Sequence, residues 1–200
     1  MCNKKCIGEN MRENTYIKIE KLYRKYIGYV ETKDLLAEGF SNRQISTLVN
    51  EGYLQKVCYG HYWLSGKQCK KPFDYKCIEA SLSNPGVVIC MNSALYYQGV
   101  LSVEPDYLSV ATERTDRSMM KMNFKVQRHY FSKRNFNVGI KKKETEFGKY
   151  NIYDTERSVC DLYRLKGEIE VEIINDIKGN KDLYDRLLKY AEALQIKRGL

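Results

Sequence analysis

Two sets of side chains have types and spacings that can do chemistry. The first is Asn42, Arg43, Gln44, Thr47 and Asn50. At helical spacing, Ile45, Leu48 and Val49 form one face, and Asn42, Arg43, Thr47 and Asn50 fall on the other. Short amides, hydroxyls and a forked guanidinium are the groups that read base edges in a major groove, and they also suit a solvated helix surface. Gln44 stands three residues after Ser41, the capping-box spacing, and counts with the same DNA-facing set. Lys56, Tyr59 and His61 follow around a Tyr59-Gly60 turn, placed to touch phosphate or minor groove.

The second set is Asp154, Glu156, Arg157 and Asp161. A metal-dependent nuclease or nucleotidyltransferase needs carboxylates that converge on a divalent ion from separate elements. Here Asp154, Arg157 and Asp161 recur at roughly helical spacing within one element, so Arg157 pairs with an acid one turn away. A helix cap at Asp154 with an internal ion pair is the reading this favours. There is no phosphate loop, no Gly-Ser turn followed by paired carboxylates, and no Ser-His-Asp or Cys-His order. No catalytic residue is assigned.

Seven Cys are present, an odd number, several of them in apolar runs. Neither Cys2 with Cys6 nor Cys58 with His61 and Cys69 has paired-ligand spacing, so no metal and no cofactor are expected. No signal peptide is expected, no apolar run approaches the ~20 residues of a membrane span, and the thiols suit a reducing cytoplasm. The net charge of +9 is unevenly placed: residues 1–71 carry 13 Lys and Arg against 7 Asp and Glu. Such a bias favours a polyanionic partner. Arg114, Arg117, Lys121, Arg128, Lys133, Arg134 and Lys141-Lys142-Lys143 add positive runs further on, fitting exposed strand edges, a second nucleic-acid surface or an acidic protein.

The elements that must position these residues follow from periodicity and punctuation. Residues 1–13 read as a flexible leader. A helix over 15–26 turns Ile19, Leu22, Tyr23 and Tyr26 inward, and a second over 32–38 has Thr32 as cap with Leu35 and Leu36 as its apolar side. A third, capped by Ser41, ends at Gly52. Strands over 53–58 and 61–64 make a hairpin directly after it. Together, 14–65 read as a winged helix-turn-helix domain, and 66–72 as a basic linker. Residues 73–200 read as a mixed sheet-and-helix domain, giving an α+β chain overall. It has helices over 75–82 and 94–98, the latter capped by Asn92 or Ser93. Strands are expected at 87–91, 107–112, 122–131, 136–143 and 149–153, then helices from Asp154, over 169–177 and over 183–194.

The chain resembles the AbiEi family of antitoxins and transcriptional regulators of bacterial type IV toxin–antitoxin systems. The N-terminal resemblance is carried by Gly28-Tyr29-Val30-Glu31-Thr32-Lys33-Asp34-Leu35, Gly39-Phe40-Ser41-Asn42-Arg43-Gln44-Ile45 and Val57-Cys58-Tyr59-Gly60-His61-Tyr62-Trp63-Leu64. The C-terminal part rests on Ser93-Ala94-Leu95-Tyr96-Tyr97-Gln98-Gly99 and Tyr153-Asp154-Thr155-Glu156-Arg157-Ser158-Val159-Cys160-Asp161-Leu162. The resemblance implies a non-enzymatic protein whose first domain binds inverted repeats of double-stranded DNA in its own promoter. Its second domain would counter a nucleotidyltransferase-like toxin encoded next door, without requiring a stable complex. It places Asn42, Arg43, Thr47 and Asn50 on DNA, with Lys56, Tyr59 and His61 in the wing. Ser93, Tyr97, Asp154, Glu156, Arg157 and Asp161 fall in an antitoxin or structural motif. The alternatives are a stand-alone winged-helix regulator and a nucleic-acid-processing enzyme.

Overall fold

The computed structural model describes residues 3–65, 70–165 and 167–196. The protein is mixed α+β, with two sheets, and divides into two compact units, Met1–Tyr75 and Lys76–Leu200. Cys2, Cys69 and residues 66–69 of the expected linker lie outside the described residues. No helix among the described residues is long and apolar enough to cross a membrane.

The first unit opens with α1 (Asn3–Tyr26), so the expected leader is helical from Asn3. The stretch is rich in Lys, Glu, Met and Arg, all good helix formers, and holds no Pro. Ile27 and Gly28 then turn the chain with positive φ into β1 (Tyr29–Glu31), a strand too short to show a period. Next come α2 (Thr32–Ala37), α3 (Asn42–Asn50), β2 (Leu54–Cys58) and β3 (His61–Leu64). The sheet order is β1-β3-β2, antiparallel throughout.

The cap of α2 is Glu31 rather than Thr32, and the Glu31 N–H donates to Asp34 Oδ2 at 3.1 Å. Thr32 serves the hairpin instead: its N–H and its hydroxyl both donate to Gly60 O, at 2.8 and 3.3 Å. Leu35 is buried, but Leu36 points outward, because a six-residue helix has one narrow inner face. The core gathers Ile19, Leu22, Val30, Leu35, Ile45, Leu48, Leu54 and Leu64, with Tyr23 and Tyr26 against it.

Trp63 is buried, edge-on to Tyr23 and Tyr29 at centroid distances of 5.7 and 4.8 Å. Gly28 packs so closely on its ring that a Cβ there would meet Trp63 Cζ3 at 2.2 Å.

The second unit holds α4 (Tyr75–Ser83), β4 (Val88–Ile89), α5 (Met91–Tyr97), β5 (Leu108–Glu113) and β6 (Val126–Phe131). It continues with α6 (Lys133–Phe136), β7 (Ile140–Thr145), β8 (Gly148–Tyr153), α7 (Thr155–Arg164), α8 (Val171–Gly179) and α9 (Lys181–Ala193). The five-stranded sheet runs β6-β5-β4-β8-β7 and is mixed: β4–β8 and β5–β6 are parallel, β4–β5 and β7–β8 antiparallel. Its core joins Val88, Ala111, Phe131 and Tyr153 to the inner faces of α5, α7, α8 and α9.

Three expectations change here. The strand expected over 136–143 is the end of α6, a turn through Gly139 at positive φ, and then β7. The strand expected from 122 begins only at Val126. Finally, α5 is capped by Cys90, because the Ser93 hydroxyl is taken inside the sheet, donating to Tyr107 O at 3.2 Å and accepting from Ser109 N at 2.9 Å.

Gly28→Ala is expected to destabilise the first unit by roughly 2–5 kcal/mol, combining left-handed backbone strain with overpacking. Trp63 is the sole tryptophan, so urea unfolding followed by tryptophan fluorescence reads this unit directly.

Candidate nucleic-acid interface

Helix α3 is sharply two-sided. Ile45 and Leu48 are buried and Val49 partly so, whereas Asn42, Arg43, Gln44, Ser46, Thr47 and Asn50 are exposed. The helix is locally encoded. Ser41 Oγ accepts from Gln44 N at 3.3 Å, and Gln44 Oε1 accepts from Ser41 N at 2.8 Å, satisfying two otherwise orphaned donors. Gln44 Oε1 also accepts from the Ser41 hydroxyl at 3.0 Å, so its carbonyl is committed to the cap and only its amide donors face outward.

Two hydroxyls of the exposed face are likewise engaged. Thr47 Oγ1 donates to Arg43 O at 3.1 Å and Ser46 Oγ to Asn42 O at 3.0 Å. No hydrogen bond or ion pair ties the Arg43 guanidinium or the Asn42 and Asn50 amides to another described side chain. Ser46 was missed in the sequence, although it stands one turn beyond Asn42 and so belongs to the same surface.

After α3, the Tyr53 N–H donates back to Leu48 O at 2.9 Å and leads the chain into β2. The β2–β3 hairpin carries Lys56, Tyr59 and His61, with a register shift between Lys56 and Cys58. Tyr59 is 95% exposed at the turn. His61 is half-buried, its Nδ1 3.1 Å from Tyr59 O, and it stands opposite Glu31 in the sheet. Burial opposes ionisation of Glu31, but its hydrogen bond to Lys33 is the larger effect and holds its carboxyl below the ordinary range. Thr32 was also missed. Its part in fixing the turn depends on a contact between residues far apart in the chain.

The C-terminal motif residues form a buried support. Asp154 caps α7, accepting from Arg157 N at 3.0 Å, and its other oxygen accepts from the Tyr190 hydroxyl at 2.9 Å. Burial, with Asp154 beside it, raises the Tyr190 phenol to about 12. Arg157 is fully buried. Its Nε donates to Asp161 Oδ2 at 2.9 Å, and its Nη1 donates to Asn135 O and Val138 O, each at 2.6 Å. The guanidinium lies 4.1 Å from the Tyr153 ring centroid and 5.4 Å from that of Phe131.

Asp161 takes a second cation, Arg164 Nη2, at 2.9 Å. Burial pushes Asp161 up from the ordinary carboxylate value, against the pull of Arg157 and Arg164. Glu156 is buried with Arg186 Nη1 3.4 Å from its Oε1. Ser93 is buried within its two backbone contacts, and the buried Tyr97 hydroxyl donates to Glu104 Oε1 at 3.2 Å. Burial drives the Tyr97 phenol upward.

Of the positive residues in this unit, Arg114, Arg117, Lys121, Lys133, Arg134, Lys141, Lys142 and Lys143 are exposed. Lys143 Nζ donates to Tyr97 O at 3.1 Å. Arg128 is committed: Nε donates to Thr112 Oγ1 at 2.8 Å and Nη2 pairs with Asp116 Oδ2 at 2.8 Å. Asp116 also accepts from Asn84 Nδ2 at 2.7 Å and Ser118 N at 2.8 Å. Burial opposes ionisation of Asp116, yet these donors together hold its carboxyl below the usual range.

Two outcomes are expected. Asp161→Ala strands a buried guanidinium and should cost about 3–5 kcal/mol in urea unfolding followed by circular dichroism, with Asp161→Asn losing less. Asp116 has a depressed folded pKa, so its contribution is full above the unfolded value near ~3.9 and fades as pH falls through the folded one. Asp116→Asn should therefore be less stable than wild type at pH 7, and the gap should begin to narrow below about pH 4 and keep narrowing as pH falls further.

No protein-family model matches the chain, and no curated protein matches it in sequence.

Proposed function

We propose that the protein is a DNA-binding transcriptional autorepressor in which the first unit acts as a winged helix-turn-helix. In this reading α2 and α3 are the helix-turn-helix, α3 enters the major groove, and the β2–β3 hairpin is the wing. The observation that carries it is the exposed face of α3. Arg43, Thr47 and Asn50 lie opposite the buried Ile45 and Leu48, with Asn42 exposed to one side, and the following hairpin presents Tyr59 at its tip. The excess of Lys and Arg in residues 1–71 supplies phosphate attraction. Occupancy of the promoter blocks transcription.

The resemblance extends the reading to an antitoxin that counters a nucleotidyltransferase-like toxin through the second unit, with inverted repeats upstream of its own gene as operator and the cytoplasm as its place of action. A second reading has a specific observation in its favour. Ser93, Tyr97, Asp154, Arg157 and Asp161 are buried and bonded internally, which suits a stand-alone regulator whose C-terminal motif supports the fold. Growth rescue on co-expression with the neighbouring gene product separates the two.

The deciding measurement is binding of the full chain to its own upstream duplex against random duplex over a range of salt. Tighter binding to the upstream duplex, weakening steeply with salt, is the expected result. Equal binding to both leaves no autorepressor, and binding to neither removes DNA from the function. Lys56→Gln should weaken both duplexes alike and make the slope of log affinity against log salt shallower by about 1.

A further inference from the structure

Three residues of α3 point directly away from the core. At about 100° per residue, Arg43, Thr47 and Asn50 fall within roughly 60° of one another and lie opposite the buried Ile45 and Leu48. Asn42 and Gln44 stand about 100° to either side of Arg43. Along the axis, Arg43 to Asn50 spans about 10 Å, the stack height of roughly three base pairs.

The chemistry of this stripe is narrower than its residue types suggest. The Thr47 hydroxyl proton is given to Arg43 O, so the side chain offers a groove no donor, only its methyl and an acceptor oxygen. Arg43 keeps its forked donors and Asn50 keeps both a donor and an acceptor. Gln44, its carbonyl held by Ser41, keeps only donors and faces the side where a groove wall would stand.

Resting on the DNA-binding reading above, we infer that Arg43, Thr47 and Asn50 are the specificity-determining residues. They read three consecutive base pairs as guanine, thymine and adenine respectively. Arg43 donates both arms to guanine O6 and N7. The Thr47 methyl packs against the thymine 5-methyl. Asn50 accepts from adenine N6 and donates to N7. Asn42 and Gln44, to the sides, meet backbone phosphate and carry no base preference.

The test is selection of the full-length protein on a randomised duplex library, repeated with Arg43→Ala, Asn50→Ala and Thr47→Ser, whose far-UV circular dichroism should match wild type because all three side chains are exposed. Wild type should enrich a core of G·C and A·T pairs flanking a thymine. Arg43→Ala should flatten only the G·C position and Asn50→Ala only the outer A·T position, each by roughly ten- to one-hundred-fold in discrimination. Replacing the central thymidine by deoxyuridine should weaken wild-type binding about fourfold, the worth of one buried methyl. Thr47→Ser should lose the same on the thymidine duplex and nothing further on deoxyuridine, since each change removes the same contact. Tight, selective binding whose preferences survive Arg43→Ala and Asn50→Ala overturns the assignment while leaving DNA binding intact. Retention of duplex without enrichment overturns the assignment alone, and failure of the wild type to retain any duplex overturns it together with the DNA-binding reading.

Discussion

The second unit is organised around a charge it has taken out of water. Arg157 has no solvent exposure, and moving a guanidinium into a protein interior costs several kcal/mol unless partners replace its hydration. Those partners dictate the surroundings. Asp161 supplies the counter-charge from the next turn of α7, and the carbonyls of Asn135 and Val138 are drawn in as acceptors. This explains why the chain after β6 makes a short helix and a glycine turn instead of running straight into β7. Gly139 has to lack a side chain there, since a Cβ would lie 2.6 Å from Arg157 Cβ. Asp154 then accepts from Arg157 N, and its own N–H donates to Gly139 O at 2.9 Å, closing the ring of contacts. Tyr153 and Phe131 cover the guanidinium face, and Tyr190 ties the arrangement to α9.

The first unit meets the opposite requirement, a helix that must be firm underneath and polar on top. The Ser41–Gln44 cap fixes where α3 starts, and Ile45 and Leu48 fix which way it rolls. The exposed side is thereby defined to within a side chain. Thr32 sets the hairpin turn in the same way, by holding the Gly60 carbonyl from two donors.

What was legible in the sequence was mostly what is local. The start of α3 was written in Ser41 and Gln44, the start of α7 in Asp154, and the polar face of α3 in its 3.6-residue period. What was not legible depends on distant partners. β1 is three residues long and becomes a strand only by pairing with β3. The break at 136–139 follows from what Arg157 takes from that loop. Within the candidate interface, residue types were readable, but not that Gln44 is occupied by its cap or that Thr47 turns its hydroxyl back to Arg43. Seen as a string, Asp154, Glu156, Arg157 and Asp161 resemble reactive groups. In the fold all four are buried, and Asp154, Arg157 and Asp161 bond to one another and to neighbouring backbone.

The five-stranded sheet also has two unlike edges. On β7, Lys141, Lys142 and Lys143 are consecutive and exposed; Lys143 Nζ turns back to Tyr97 O, and Lys141 and Lys142 leave positive charge on the strand where one from another molecule would pair. On β6, Arg128 is turned inward to Asp116 and Thr112, and Tyr130 is half exposed. The pairing of Arg128 with Asp116 neutralises the one arginine of β6, while β7 keeps its run of lysines, so charge is distributed unevenly between the two edges of the sheet.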